Sequence, residues 1–251
     1  MTFAMLGMYP FEHLRAHYDH LWMALRRLLA DDSLPDSLDW GRDLHASWLE
    51  PGLVLGQTCG WPLATVLDGR VAVVGSFDVD VPWASGGRYR SVLVARRPVS
   101  VHDLRSSGDT VVAVNSLDSL SGWVSLCHAW GGRPPLILET GAHRESMRAV
   151  AEGRAHLASI DAVSYEHLVL AEPAQVSSVH IVGHGPVVPS LPLICSLDRA
   201  STVPALRGAL GAVVADPQMA PTLHVLRIRG FVPFERGDFE RLLAMAPPGG
   251  G

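Results

Sequence analysis

The chain has 251 residues, 48% hydrophobic and 18% charged, with 20 basic against 25 acidic side chains and a formal net charge of −5. That length suits one large domain or two lobes of about 100–150 residues each. The longest apolar runs fall far short of the roughly 20 residues that cross a bilayer, and the basic residues form no stripe, so neither membrane insertion nor a nucleic-acid partner is expected.

All 20 basic residues are Arg. The absence of Lys removes P-loop NTPases, protein kinases and Schiff-base enzymes, whose chemistry runs through a lysine amine. Cys59, Cys127 and Cys195 are 68 residues apart each time and form no C-x-x-C pair, so they read as free thiols rather than a zinc site or a disulfide framework.

The chain opens on a strand, Thr2 to Met8, with no basic n-region or cleavage motif before it. A chain complete as given reads as cytoplasmic, and one whose leader was removed as periplasmic. A helix follows, with Leu14, Tyr18, Leu21, Trp22, Leu25 and Leu29 recurring at three and four residues. Further strands are expected at Leu53 to Leu55, Val71 to Val74 and Ser91 to Ala95. The Arg96-Arg97-Pro98 break after the last of these marks a lobe boundary.

A second series then alternates: strand Thr110 to Val114, helix Ser119 to Trp130, strand Leu136 to Leu138, helix Arg144 to Glu152, strand Ala155 to Ile160 and strand Val179 to Val182. A Gly/Pro-rich bridge at 183–189 precedes the strand Leu191 to Cys195 and two helices, Thr202 to Ala215 and Arg236 to Met245. Alternation of this kind predicts an α/β fold with largely parallel sheets. The two breaks predict a discontinuous first lobe, 1–97 with 187–251, and an inserted second lobe, 98–186. The tail from Pro247 to Gly251 reads as frayed.

Three strand ends run into polar, glycine-containing turns. In Asn115-Ser116-Leu117-Asp118-Ser119-Leu120-Ser121-Gly122 a strand hands over to a helix start, where free N–H groups and the dipole favour an anion and Gly122 allows close approach. The alternative is that Ser116 or Ser119 merely caps the helix. Thr140-Gly141-Ala142-His143 opens a second helix, and His143 there is either a donor to an anion or a solvated first-turn residue. The third turn is Gln57-Thr58-Cys59-Gly60. Ligands gather outside the carboxyl ends of strands in α/β sheets, so three such turns favour a binding cleft.

Other groupings are weaker. His13, His17 and His20 have metal-ligand spacing but lie beside the apolar stripe and read as a solvated edge, so no metal is expected. Cys59 has no base placed next to it by the sequence. His184 sits in a hinge-like bridge. Trp61 and Trp123 adjoin two of the polar turns and read either as core rings or as contacts for a planar ligand part.

The ordered set Gly7-Met8-Tyr9-Pro10, Gln57-Thr58-Cys59-Gly60, Tyr89-Arg90-Ser91, Asn115 to Gly122, Thr140-Gly141-Ala142-His143 and Ala158-Ser159-Ile160-Asp161 resembles the phosphate/phosphonate family of ABC-transporter substrate-binding proteins. The resemblance covers nearly the whole chain, and the Ser-x-Ser-Gly and Gly-x-His helix starts are its more specific parts. It implies a type II periplasmic-binding-protein fold, two lobes with two crossovers that close on a ligand. It also implies ligand contacts from Tyr9, Gln57, Thr58, Cys59 and Gly60 in the first lobe, with Tyr89 near the crossover. In the second lobe Asn115, Ser119, Ser121 and Gly122 would hold an oxyanion, His143 would flank it and Asp161 would lie at the edge.

The function so implied is non-catalytic binding of a small anionic ligand such as phosphate or phosphonate. No cofactor and no catalytic residue are expected, and an ABC-transporter permease is the implied partner. Two other functions stay open on the residues: a cytoplasmic cofactor-biosynthesis enzyme of the same fold, and a ligand-sensing module. Fold alone does not choose among them.

Overall fold

The computed structural model describes residues 2–247; the expected frayed tail beyond Pro247 lies outside the described residues. Twelve strands follow in chain order: β1 (Phe3–Met5), β2 (Leu53–Gln57), β3 (Val71–Val79), β4 (Arg88–Tyr89), β5 (Val92–Ala95), β6 (Val111–Val114), β7 (Leu136–Glu139), β8 (Leu157–Ile160), β9 (His180–His184), β10 (Val188–Pro189), β11 (Pro192–Ser196) and β12 (Ile228–Val232). The chain divides into two units, each with its own five-stranded sheet. The first unit comprises Met1–Asp80, Ala84–Arg88 and Pro189–Arg241. The second comprises Val81–Trp83, Tyr89–Val188 and Leu242–Gly251.

After a brief excursion at Val81–Trp83, the chain passes into its long second-unit stretch between Arg88 and Tyr89, ahead of the 97/98 boundary read from the sequence. The reason is β5, which pairs with β8 and β9 and so is built into the second unit's sheet. Pro98 ends the segment after that strand and marks no crossing. The second crossing, between Val188 and Pro189, lies close to the expected bridge, and the segment from Leu242 onward groups with the second unit instead of the first.

In the first unit the sheet order is β1-β2-β11-β3-β12. Only β1 and β2 run parallel; β11 is antiparallel to β2 and β3, and β12 to β3. The largely parallel sheets expected from strand–helix alternation are therefore mixed sheets. Strands that follow a crossover enter from the opposite direction, which no local pattern encodes. The helix Arg15–Leu29 buries Tyr18, Leu21, Trp22 and Leu25 and packs on the helix Val203–Ala215. Full burial of such side chains contributes about 1.5–3 kcal/mol each. Leu29, the last member of the stripe, is only half-buried because the helix stops there, with Ala30 in the left-handed region.

The second unit's sheet has the order β7-β6-β8-β5-β9. The strands β6, β7 and β8 run parallel, whereas β5 is antiparallel to β8 and β9. The helix His143–Ala151 lies against β6 and β8 and buries Met147, Ala149 and Val150 completely. Because β6 and β8 are parallel neighbours, their carboxyl ends, at Asn115 and Asp161, fall on one edge of the sheet.

Candidate functional site

The second unit gathers most of the polar residues singled out above. The ladder between β6 and β7 runs on past both strands: Thr140 N–H donates to Val114 O at 2.9 Å and Gly141 N–H to Asn115 O at 2.9 Å. This continuation lays the Thr140–His143 turn alongside Asn115. Gly141 has φ +84°, a conformation that side chains strain to adopt.

The helix after Asn115 begins with one wide π turn, Leu120–Val124, before continuing as an α-helix, Ser125–Trp130. Trp123 N–H and Val124 N–H both donate to Ser119 O at 3.0 Å, and π turns of this kind concentrate at functional positions. Ser119 is the cap: its Oγ accepts from Gly122 N–H at 3.0 Å. Its own O–H stays available as a donor, so capping and anion contact are compatible roles for one hydroxyl. Ser116 instead closes a local turn with Asp118.

Gly122 is required by packing. A Cβ there would sit 1.8 Å from Asn115 Oδ1, which lies against the Gly122 backbone. That Oδ1 is buried without a hydrogen-bond partner, a costly state for an amide oxygen unless something completes it.

Ser121 Oγ and His143 Nε2 are hydrogen-bonded at 3.0 Å, and Ser159 Oγ donates to Ser121 O at 2.5 Å. Burial pushes the His143 pKa below its ordinary value of 6.5, against opposing pulls from the Asp161 carboxylate and the Ser159 backbone. His143 is the first residue of its helix, where the positive dipole end also disfavours an added positive charge. The imidazole is thus a neutral, hydrogen-bonded group in this structure, unlike a solvated first-turn side chain.

Asp161 is buried, and both of its oxygens have partners. Oδ2 accepts from Tyr89 O–H at 2.6 Å and Oδ1 from Ser164 N–H at 2.9 Å, the latter capping the helix Ala162–Ala171. Tyr89 and Asp161 are 72 residues apart in sequence. The antiparallel pairing of β5 with β8, Val92 opposite Ile160, brings them together.

In the first unit, β2 delivers the Gln57–Gly60 turn. Thr58 N–H donates to Pro192 O at 3.0 Å, and Trp48 Nε1–H donates to Gln57 O at 3.0 Å. Cys59 precedes the short helix Gly60–Ala64 without a side-chain cap bond. Gln57 Oε1 and Thr58 Oγ1 are buried without hydrogen-bond partners. Tyr9, Gln57 and Ser190 line one small cavity of about 10 Å³, on the scale of a single water.

Three residues were not assigned to the site from the sequence, although Ser91 stood in one of the quoted motifs. Ser91 Oγ and Ser125 Oγ, in the second unit, are buried without partners and flank Gly185, where a Cβ would come within 2.4 Å of Ser91 Oγ. Ser91 is two residues after Tyr89, on the same face of an extended segment, and Ser125 is four after Ser121 on a helix, so both periodicities were legible. Ser190 had no such signal.

The remaining candidates have ordinary surroundings. His20 Nδ1 is paired with Thr222 Oγ1 at 2.8 Å, and among the described residues no group of three or more His, Cys, Asp or Glu gathers to hold a metal. His184 ends β9 and stacks on Trp83 at 4.7 Å between ring centroids. Trp123 is a buried ring beneath the Arg133 guanidinium, 5.5 Å from the ring centroid, and Trp61 is half-buried. Burial pushes the Cys127 thiol up to about 12 and the Cys195 thiol to about 11, which leaves neither as a thiolate.

The family model described as ABC transporter, phosphonate, periplasmic substrate-binding protein matches residues 62–239, and the chain belongs to that family. Among solved structures, the binding-protein component of an ABC phosphonate transporter from Pseudomonas aeruginosa is similar at TM-score 0.73 and 14% identity, covering 98% of this chain and 84% of its own. A protein from Prochlorococcus marinus, solved with methylphosphonate, is similar at TM-score 0.78 and 12% identity over 97% and 96% of the two chains. A Xanthomonas citri protein bound to ATP is similar at TM-score 0.70 and 15% identity over 97% and 95%. Among curated protein sequences none matches. The fold is that of the periplasmic binding proteins, with mixed sheets and helices in each unit.

Proposed function

We propose that this member of the phosphonate-binding family of ABC-transporter substrate-binding proteins holds a small oxyanion, a phosphonate, phosphate or related compound, on the polar turns at one edge of its second unit, and presents it to a permease without chemical change. The observation that supports this most directly is the helix start at Ser119–Gly122. It sits beside the buried, unpartnered Asn115 Oδ1 and beside the Ser121–His143 hydrogen bond. Backbone N–H groups of the first turn, the Ser119 and Ser121 hydroxyls and the imidazole form a donor set that binds an anion without any lysine.

Tyr89 and Asp161 form the side of this cluster, with the carboxylate held by the phenol and a helix N–H. In the first unit we assign ligand contacts to Tyr9, Gln57, Thr58, Cys59 and Gly60. There Gln57 and Thr58 have polar atoms left to satisfy. The absence of catalysis is inferred from chemistry: the second-unit cluster consists of hydroxyls, an amide and an imidazole around one carboxylate already doubly bonded, and the Cys127 and Cys195 thiols are held protonated.

Isothermal titration of the purified chain with methylphosphonate and with inorganic phosphate tests the reading. Saturable one-to-one binding that weakens in Ser121→Ala, with the ligand recovered unaltered by mass spectrometry, is the expected result. Release of a modified product would point to an enzyme instead.

A further inference from the structure

A second polar region of the same unit lies at the opposite edge of its sheet. The strands β6 and β8 begin there, and β5, which is antiparallel to β8, ends there. A cavity of about 770 Å³ opens at that edge, lined among others by Arg96, Arg97, Leu104, Gly153, Ala155 and His156. Its volume falls in the range of about 300–1,000 Å³ usual for small-molecule sites.

The charges that line it are uncompensated. Elsewhere in this unit Arg144 pairs with Glu172, Arg148 with Glu145 and Arg154 with Glu152. Arg96 and Arg97 make no hydrogen bond or ion pair among the described residues. Two acidic side chains close by in the sequence are engaged elsewhere: Glu152 is held by Arg154 at 2.8 Å, and Asp103 accepts from Ser100 Oγ at 2.7 Å. Arg96 is also positioned: its Nη1 lies 3.1 Å from where a Cβ on Gly153 would be, and Gly153 has φ +78°, so the guanidinium lies across a bare backbone.

His156 supplies a ring N–H. Val111 N–H donates to His156 Nδ1 at 2.9 Å, so the ring proton is on Nε2. Two unpaired guanidinium forks with an imidazole N–H match the bidentate geometry and charge of phosphoryl oxygens.

We propose that this cavity is a second binding site, separate from the oxyanion turns, that takes a small soluble oligophosphate. A di- or triphosphate offers each guanidinium a phosphoryl group of its own and fills more of the volume than a single phosphate does. The site does not depend on the function proposed above, because it shares no residue with it.

The test is titration of the full chain with inorganic tripolyphosphate, read by calorimetry and by the His156 ring resonances. Wild type and Ser121→Ala should bind one tripolyphosphate with equal affinity. The double variant Arg96→Gln, Arg97→Gln should lose at least about tenfold in affinity, as expected when charged hydrogen bonds are removed, while keeping its affinity for methylphosphonate. Absence of saturable binding to wild type overturns the proposal. So does binding that survives the double Arg variant, or binding that disappears in Ser121→Ala. Binding only to an acidic polypeptide, with none to tripolyphosphate, overturns it in favour of a protein interface.

Discussion

Asn115 and Gly122 meet so closely that a Cβ on Gly122 would stand 1.8 Å from Asn115 Oδ1. A strand end and a helix start are locked against each other at the one place where neither can carry more atoms. Asn115 is the only asparagine in the chain, and its amide oxygen is buried with no hydrogen-bond partner.

Gly122→Ala is therefore expected to force the two elements apart and to destabilise the protein by about 1–3 kcal/mol, the usual cost of overpacking. The double variant Asn115→Ala, Gly122→Ala should recover much of that loss, because the clash needs both side chains. Denaturant midpoints of Asn115→Ala, Gly122→Ala and the double variant measure the coupling. Additive losses would show that the clash is relieved elsewhere.

Ser121→Ala removes the hydroxyl bonded to His143 Nε2. If that hydroxyl also meets the anion, affinity falls about tenfold or more, since a hydrogen bond to a charged group is worth about 1.5–3 kcal/mol. Calorimetry with methylphosphonate measures it. Unchanged affinity in both Ser121→Ala and Ser119→Ala would reduce the helix start to a structural cap.

His143 makes both stability and affinity depend on pH. Its folded pKa lies below 6.5 because of burial, so the unfolded chain binds more protons in the window just beneath that value. The stability it contributes is fully present above about 6.5 and is lost as pH falls through the folded pKa. A bound oxyanion favours imidazolium and raises the pKa, so binding takes up a proton and affinity falls as pH rises between the free and bound values. His143→Gln keeps a donor and cannot titrate. Its affinity and its melting temperature should vary less with pH than wild type between about 5.5 and 8; identical slopes in the two proteins would remove His143 from the anion's surroundings.

Tyr89→Phe deletes the donor that holds Asp161 Oδ2 at 2.6 Å. A buried carboxylate that loses one partner costs on the order of 1–3 kcal/mol. Asp161→Asn in the Tyr89→Phe background should cost less than in wild type, because the phenol no longer needs an anionic acceptor. Thermal unfolding of the four proteins tests the pairing, and independent effects would show that Tyr89 is placed by packing alone.

Local pattern in the sequence was enough to place the apolar stripe of the first helix, the strand cores and the polar turns after Gln57, Val114 and Glu139, because helix and strand periods and turn chemistry act over a few residues. It also exposed Ser119, Ser121 and His143 as helix-start residues, whose positions follow from where a strand must end. Strand direction and unit membership were decided by tertiary structure. The strand β5 belongs with β8 and β9 because of hydrogen bonds to residues more than 60 positions away, and Pro98 carries no information about that pairing. The same long-range register joins Tyr89 to Asp161, sets Ser91 and Ser125 against Gly185, and leaves Arg96 and Arg97 without carboxylates. None of those contacts has a sequence period, because each depends on which side chains two separately formed elements present when their sheets close.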